Sequence, residues 1–169
     1  EEEIHEQINR WWEGNKNAGY ASLIFAYSLG KAQRVLAGLD ASVGPIYAHS
    51  AVHPFLEHYQ NAGVTLPEVK KIEDEKDFSG AMVIAPPAVE DSSWMRKFHT
   101  VKRGFASGWM AIRGPRRRKN IDRGFVLSDH ADWPGLIDVI TGTGAEVVKV
   151  THGNGDALSQ FLVEKGIDA

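Results

Sequence analysis

The chain has 169 residues, a net charge of −3, and 43% hydrophobic and 24% charged residues, a balance typical of one globular domain or one small domain plus part of another. It has no cysteine, so disulfides, cysteine-ligated zinc and thiol nucleophiles are excluded, and a transition-metal site would have to use histidine and carboxylate. No apolar run reaches the ~20 residues of a membrane span and no signal peptide opens the chain, so we expect a cytoplasmic protein with no membrane partner. The chain opens inside a helical pattern without an initiator methionine, which predicts that it is part of a longer protein.

The first half of the chain alternates between helical and strand patterns. Apolar residues recur at helical spacing over residues 2–18 and predict a helix that Gly19 ends. The uninterrupted apolar run 21–27 is typical of a strand covered on both faces, and residues 31–39 follow it as a helix. Further strands are predicted at residues 45–49 and 81–85, and further helices at residues 51–62 and 94–98. A charged, solvated connector is predicted at residues 70–77. This alternation predicts an α/β fold with a mostly parallel sheet and flanking helices.

The character of the sequence changes after about residue 102. Residues 105–109 place small residues and a glycine between aromatic neighbours, and residues 114–120 form a basic loop with two helix breakers. We therefore place a domain boundary there, which gives predicted domains 1–113 and 120–169. Beyond the boundary the pattern predicts strands at 124–127 and 146–150 and helices at 134–140 and 156–165.

Two histidines directly follow predicted strands. His130 lies in the run Ser-Asp-His-Ala-Asp, and His152 lies in Thr-His-Gly. Sites in open α/β sheets are built at the carboxyl ends of strands, so these two side chains are expected to converge on one crevice. Asp129 and Asp132 flank His130 and could fix the orientation of its imidazole. The alternative is that both histidines are surface residues and that Asp132 is the N-cap of the following helix.

Two groups of basic residues are candidate phosphate contacts. Lys31 and Arg34 lie where a strand gives way to a helix, and backbone amides at such a point can bind an anion. The alternative is a helix start with solvated basic side chains. A run of four basic residues in an acidic chain has the phosphate backbone as its natural partner, or is simply a solvated loop. That run is Arg116, Arg117, Arg118 and Lys119. The residues alone favour packing roles for Trp94, Trp109 and Trp133.

Four segments occur together in the order found in one nuclease family. They are AYSLGKAQR (26–34), FASGW (105–109), LSDHADW (127–133) and VTHG (150–153). Over essentially its whole length the chain resembles the β-CASP branch of metallo-β-lactamase-fold nucleases. Within that branch it is most similar to bacterial ligase-associated DNA exonucleases, also described as mRNA 3′-end processing factors. The resemblance implies a β-CASP domain followed by the C-terminal strands and helices of a metallo-β-lactamase-like domain.

The resemblance also implies roles for individual residues. The reaction would be metal-dependent hydrolysis of phosphodiester bonds by a DNA repair exonuclease with two divalent ions, expected to be zinc. His152 corresponds to the last metal-ligating histidine and His130 to the proton donor of the leaving oxygen, with Asp129 and Asp132 beside it. The segments that carry Lys31, Arg34, Ser107 and Trp109 would face DNA, and a functional link to a DNA ligase is implied.

The chain departs from the family in one large respect. The motif His-x-His-x-Asp-His, the middle histidine ligand and the bridging aspartate are absent. One histidine cannot hold a zinc pair, so we expect this piece to lack a metal and to be inactive without a missing N-terminal metallo-β-lactamase half. A non-catalytic nucleic-acid-binding module and an RNA-processing nuclease of the same family remain alternatives.

Overall fold

The computed structural model describes residues 2–73, 77–111, 120–151 and 155–169 of a chain that forms two compact units, Glu1–Asp129 and His130–Ala169. The division therefore comes later in the chain than the boundary predicted at residues 113–120. The reason is that Arg123–Phe125 pairs as a strand with Val101–Ala106, inside the sheet of the first unit. The assignment of either unit to a β-CASP or metallo-β-lactamase-like domain stays a prediction.

In the part of the first unit that the structure describes, six strands form one sheet and every pairing is parallel. The spatial order is β3-β2-β4-β1-β5-β6. This confirms the predicted α/β fold with a parallel sheet. The strands are β1 (Ala21–Phe25), β2 (Ile46–Ala48), β3 (Lys70–Lys71), β4 (Met82–Ala85), β5 (Val101–Ala106) and β6 (Arg123–Phe125).

Helices connect these strands. Among the described residues of the first unit, the α-helices are α1 (Glu2–Asn17), α2 (Lys31–Ala37) and α3 (Leu56–Asn61). Short 3-10 helices cover His53–Phe55, Pro87–Val89, Ser93–Lys97 and Gly108–Ala111. The apolar stripe of α1 buries Ile8 and Trp12, and Gly19 ends the turn that follows with a φ of 77°, which glycine adopts without strain.

The sheet is buried on both faces because alternate side chains of its central strands point to opposite sides. In β1, Ile24 packs in the core cluster that includes α1, α2 and α3. Its neighbours Leu23 and Phe25 pack in the other cluster, with Met95 and Phe105. Both faces of β1 are therefore apolar, as its uninterrupted apolar run predicts. The parallel strands bring their carboxyl ends to one edge of the sheet.

Three local predictions differ from the structure. The segment 70–77, expected to be a connector, begins with the exposed strand β3, which pairs with β2. The helix expected at 94–98 is the 3-10 helix Ser93–Lys97. The strand expected at 146–150 is wrong, because that segment makes only an isolated bridge between Val147 and Asp168.

The second unit contains α4 (Trp133–Gly142) and α5 (Asp156–Glu164). The Trp133 ring meets the Phe161 ring edge-on at a centroid distance of 5.3 Å, and Leu162 of α5 is buried. Across the residues that the structure describes in either unit, no helix combines the length and apolarity needed to cross a bilayer.

Candidate functional site

The candidate site lies at the carboxyl edge of the sheet, where β1, β5 and β6 are consecutive neighbours. In register, Phe25 of β1 lies beside Phe105 of β5, and Ala106 of β5 lies beside Phe125 of β6. Neighbouring strands are about 4.8 Å apart, so the loops that leave these three strands start side by side. The sequence motifs around residues 26–34, 105–109 and 127–129 therefore meet at one place.

Lys31, the first residue of α2, makes an ion pair with Asp129, which follows β6. The Lys31 Nζ lies 2.5 Å from the Asp129 Oδ1 and 5.2 Å from the centroid of the Tyr27 ring. Lys31 is only 2% exposed. An ammonium group at that depth is costly unless a carboxylate compensates it. The charge of Lys31 is therefore engaged inside the protein, in a contact that ties α2 to the segment after β6.

Arg34 makes a second contact with the same segment. Its guanidinium Nη1 donates a hydrogen bond of 2.8 Å to the carbonyl oxygen of Ser128. Gly108 approaches Ser128 so closely that a Cβ at position 108 would lie 3.0 Å from the Ser128 Cβ. Residues 128–129 are thus held by α2 and by the turn that follows β5.

The turn after β5 is itself well anchored. Ser107 is buried, and its backbone N–H donates to the Phe125 carbonyl oxygen at 3.0 Å. The Ser107 Oγ accepts a hydrogen bond of 3.3 Å from the Trp109 backbone N–H. The indole of Trp109, by contrast, is 66% exposed, so the packing role expected for it is wrong. Trp94 does pack, with its ring centroid 4.9 Å from that of Phe98.

Gln33 is a site residue that the sequence analysis did not single out. It is buried in α2, and its Nε2 donates a hydrogen bond of 3.0 Å to the Ser28 carbonyl oxygen. The Ala32 backbone N–H donates to the Tyr27 carbonyl oxygen at 3.0 Å. These bonds fix the loop between β1 and α2. The available signal was a glutamine on a helix face otherwise lined by apolar residues such as Ala32 and Leu36.

His130 and Asp132 belong to the second unit. His130 is exposed and is the first residue of that unit. Asp132 is the N-cap of α4, and its Oδ1 accepts a hydrogen bond of 2.9 Å from the Gly135 N–H, which confirms the capping interpretation. His152 and the basic run Arg116, Arg117, Arg118 and Lys119 lie outside the described residues, so the predicted convergence of the two histidines stays a prediction.

The described residues do not fit the implied metal pair. Within residues 2–73, 77–111, 120–151 and 155–169, no three histidine or carboxylate side chains are grouped so that they could hold a metal ion. Asp129, a carboxylate at the sheet edge, is ion-paired with Lys31. Catalytic zinc sites use about three protein ligands. A zinc pair would therefore need ligands from beyond the described residues.

His49 follows β2 at the same edge of the sheet. Its Nδ1 accepts a hydrogen bond of 2.9 Å from the Ala51 N–H, and its ring packs edge-on against Trp94 at 4.8 Å. Burial, and secondarily the positive charge of Lys97, lowers the pKa of His49 below its ordinary value. The neutral imidazole is thus favoured, and it is the form that can accept the bond from Ala51.

No protein-family profile matches the chain. The chain is 31% identical over 147 residues to a protein of Opitutus terrae named "Probable DNA ligase". The match covers 87% of this chain and 14% of that protein, so the chain spans about one seventh of the relative's length.

Proposed function

We propose that the chain contributes the DNA-facing edge of a DNA-processing enzyme, and that this enzyme is a metal-dependent exonuclease. The observation that carries the proposal is that three motifs, far apart in the chain, meet at one sheet edge and are joined there by the Lys31–Asp129 ion pair and the Arg34–Ser128 hydrogen bond. The carboxyl edge of a parallel sheet is the usual place for a substrate site. The similarity to a protein named as a DNA ligase supports DNA as the substrate class.

His130 is the proposed catalytic residue of this chain. It follows Asp129 directly, and Asp129 is fixed by Lys31 at the sheet edge. An imidazole can donate a proton to the leaving oxygen as a phosphodiester bond breaks, which is the role that the family resemblance gives it. Lys31 and Arg34 are then positioning residues, because their charges hold the segment that leads to His130, and direct contact with phosphate is secondary for them.

The proposal assigns no reaction step to a metal, since the described residues form no metal site. A metal would have to be held with His152 and with ligands supplied by other sequence. That the described residues form no metal site favours one alternative: the chain is a non-catalytic DNA-binding part of a larger enzyme. That alternative keeps the sheet edge as the DNA contact and removes the catalytic role of His130.

The test uses the whole natural protein that carries this chain and an end-labelled DNA strand. We expect stepwise release of nucleotides that requires a divalent ion and stops with a chelator. His130→Gln should lower turnover about 100-fold or more, with metal content and DNA affinity unchanged. His58→Gln, on the exposed face of α3, is the matched control and should behave as wild type.

Two results would contradict the proposal. Normal turnover by His130→Gln would remove that residue from the reaction. Tight DNA binding without any cleavage, over a range of divalent ions, would favour the non-catalytic alternative.

A further inference from the structure

A cavity of about 150 Å³ lies among three helices of the first unit. Most of its surface is apolar, and its walls come from α1, α2, α3 and the turn after α3. The lining residues are His5, Gln33, Arg34, Ala37, Tyr59 and Val64. The Val64 backbone N–H donates to the Tyr59 carbonyl oxygen at 3.0 Å, and a Cβ at Gly38 would overlap the His5 ring. The walls of the cavity are therefore part of the folded packing of this unit.

Gln33 brings an incompletely bonded amide to the cavity. The side chain is 1% exposed, and its Nε2 donates to the Ser28 carbonyl oxygen at 3.0 Å. Among the residues that the structure describes, no hydrogen-bond donor reaches the Gln33 Oε1, although this atom is buried. Buried acceptors almost always have a partner, because an acceptor without one loses its bonds to water and gains nothing in return. A donor that enters the cavity would complete the bonding of this amide.

The size and polarity of the cavity define the ligand that fits. A cavity of about 150 Å³ with apolar walls accommodates a molecule of about the size of benzene. Tyr59 places an aromatic side chain in the wall, and aromatic rings pack favourably on one another.

The two polar side chains of α2 restrict the charge of the ligand. The Gln33 Oε1 needs a hydrogen-bond donor, which an anion does not supply. The guanidinium of Arg34, which also lines the cavity, disfavours a cationic donor such as an ammonium group. A neutral ring that carries an N–H or O–H group satisfies both conditions.

We propose that this cavity binds a neutral molecule of one aromatic ring whose N–H or O–H group donates a hydrogen bond to the Gln33 Oε1. The walls supply the apolar contacts that hold the ring, and Gln33 selects molecules with a donor. The inference does not depend on the proposed function, because it uses neither DNA nor a metal.

The experiment compares phenol with toluene, which have nearly the same shape and differ by a hydroxyl in place of a methyl group. Each is titrated into the ¹⁵N-labelled chain and followed by NMR. We expect phenol to bind with a Kd of about 1 mM or tighter and toluene about tenfold more weakly, since toluene has no donor for the amide. The shifted signals should include the Gln33 side-chain amide and the backbone amides of Ala37 and Val64.

Two variants locate the binding. Gln33→Met keeps the length of the side chain and removes the acceptor, so phenol and toluene should then bind equally. Ala37 is exposed at the end of α2 and lines the cavity, so Ala37→Leu should fill the cavity and abolish binding of both molecules. Ala18→Leu is the matched control, because Ala18 is also exposed next to a helix end but does not line the cavity.

Three results would overturn the inference. Equal affinity of the wild-type chain for phenol and toluene would show that no donor is recognised. Unchanged phenol binding by Ala37→Leu would place the molecule elsewhere on the chain. No saturable binding of phenol up to ~10 mM would show that the cavity takes no such ring. Gln33→Met also loses the bond to Ser28, so circular dichroism melting checks its folding, and the other two comparisons decide the question if that variant does not fold.

Discussion

The two units of the chain differ in how they bury apolar side chains. The first unit covers both faces of its sheet, and side chains such as Trp12, Ile24 and Phe25 have no solvent exposure. Among the described residues of the second unit, Leu162 alone is buried, while Val139, Val147 and Val163 are each more than half exposed. Burial of apolar surface is the main favourable term in folding, so most of the chain's stability is expected to reside in the first unit.

The larger core explains why the contacts of the candidate site are assembled in the first unit. In the first unit, the sheet fixes the loops at its carboxyl edge. Residues that are far apart in the sequence are therefore already close in space, which lowers the entropic cost of forming an ion pair between them. In the second unit, α4 buries none of its residues and is held at its start by the Asp132 cap. The resemblance assigns metal ligation to His152 and proton donation to His130. Both belong to the sequence of the second unit, which has the smaller core.

The largest expected effect comes from matched tryptophan substitutions in the two units. Trp12 has no exposed surface, and its Nε1 donates a hydrogen bond of 2.9 Å to the Gly80 carbonyl oxygen. Trp12→Ala should lower the free energy of unfolding by about 4 kcal/mol, since it leaves a cavity and an unpaired carbonyl. Trp133→Ala, which removes a half-exposed ring from Phe161, should cost about 1 kcal/mol. Urea denaturation measures both, and equal losses would contradict the difference drawn between the units.

The next effect concerns the Lys31–Asp129 ion pair. Asp129→Asn should cost more stability than Lys31→Met, about 2–3 against 1–2 kcal/mol, because it leaves an ammonium group in the interior whereas Asp129 is partly exposed to water. A double-mutant cycle measures the coupling. The exposed pair Lys102–Asp122, 3.1 Å apart, is the control and should couple by less than about 1 kcal/mol. Coupling of that small size at Lys31–Asp129 would deny the pair a structural role.

Asp132 provides a smaller effect in the second unit. Asp132→Ala should destabilise α4 by about 1 kcal/mol because the Gly135 N–H loses its acceptor, while Asp132→Asn should change stability by only a few tenths, since asparagine also caps helices. Helix content by circular dichroism and urea melts report these changes. Loss of the proposed nuclease activity in Asp132→Asn at unchanged stability would assign the carboxylate a catalytic role besides capping.

Much of the fold could be predicted because its elements carry local patterns. The stripe of α1 and the apolar run of β1 are each readable from a dozen residues. β5 was missed because its first half, Val-Lys-Arg, contains two charged residues and is only partly buried. β3 was missed because two exposed lysines form a strand only through pairing with β2. The segment 146–150 shows the reverse: its valines favour a strand, but it makes a single bridge.

The site was predicted only in its parts. Sequence patterns place Lys31 after β1 and Asp129 after β6, at the end of the sheet where sites form. They do not give the strand order, and the two residues can pair only because β1, β5 and β6 are neighbours. For the same reason Lys31 was interpreted as a phosphate ligand, although its charge is engaged by Asp129, which follows a strand two positions away in the sheet.

The last effect is a pH dependence that belongs to the first unit. The ordinary pKa of histidine is about 6.5. Burial and the charge of Lys97 lower the pKa of His49 in the folded chain. Between pH ~6.5 and the lower pKa of the folded chain, His49 is therefore protonated in the unfolded chain and neutral in the folded chain. Stability should fall as pH is lowered from about 6.5 until the folded-state pKa is passed, and His49 should contribute no pH dependence above that range.

His49→Asn tests this account, because asparagine can keep an acceptor for the Ala51 N–H but cannot titrate. The variant should show a shallower loss of urea midpoint between pH 7 and 5 than wild type, and Lys97→Ala should move the His49 pKa upward in an NMR titration, since it removes one of the two causes of the shift. A His49 resonance that titrates at or above pH ~6.5 in the wild-type chain would contradict the prediction. Burial of the ring beside Trp94 could then not be a cause that lowers the pKa of His49.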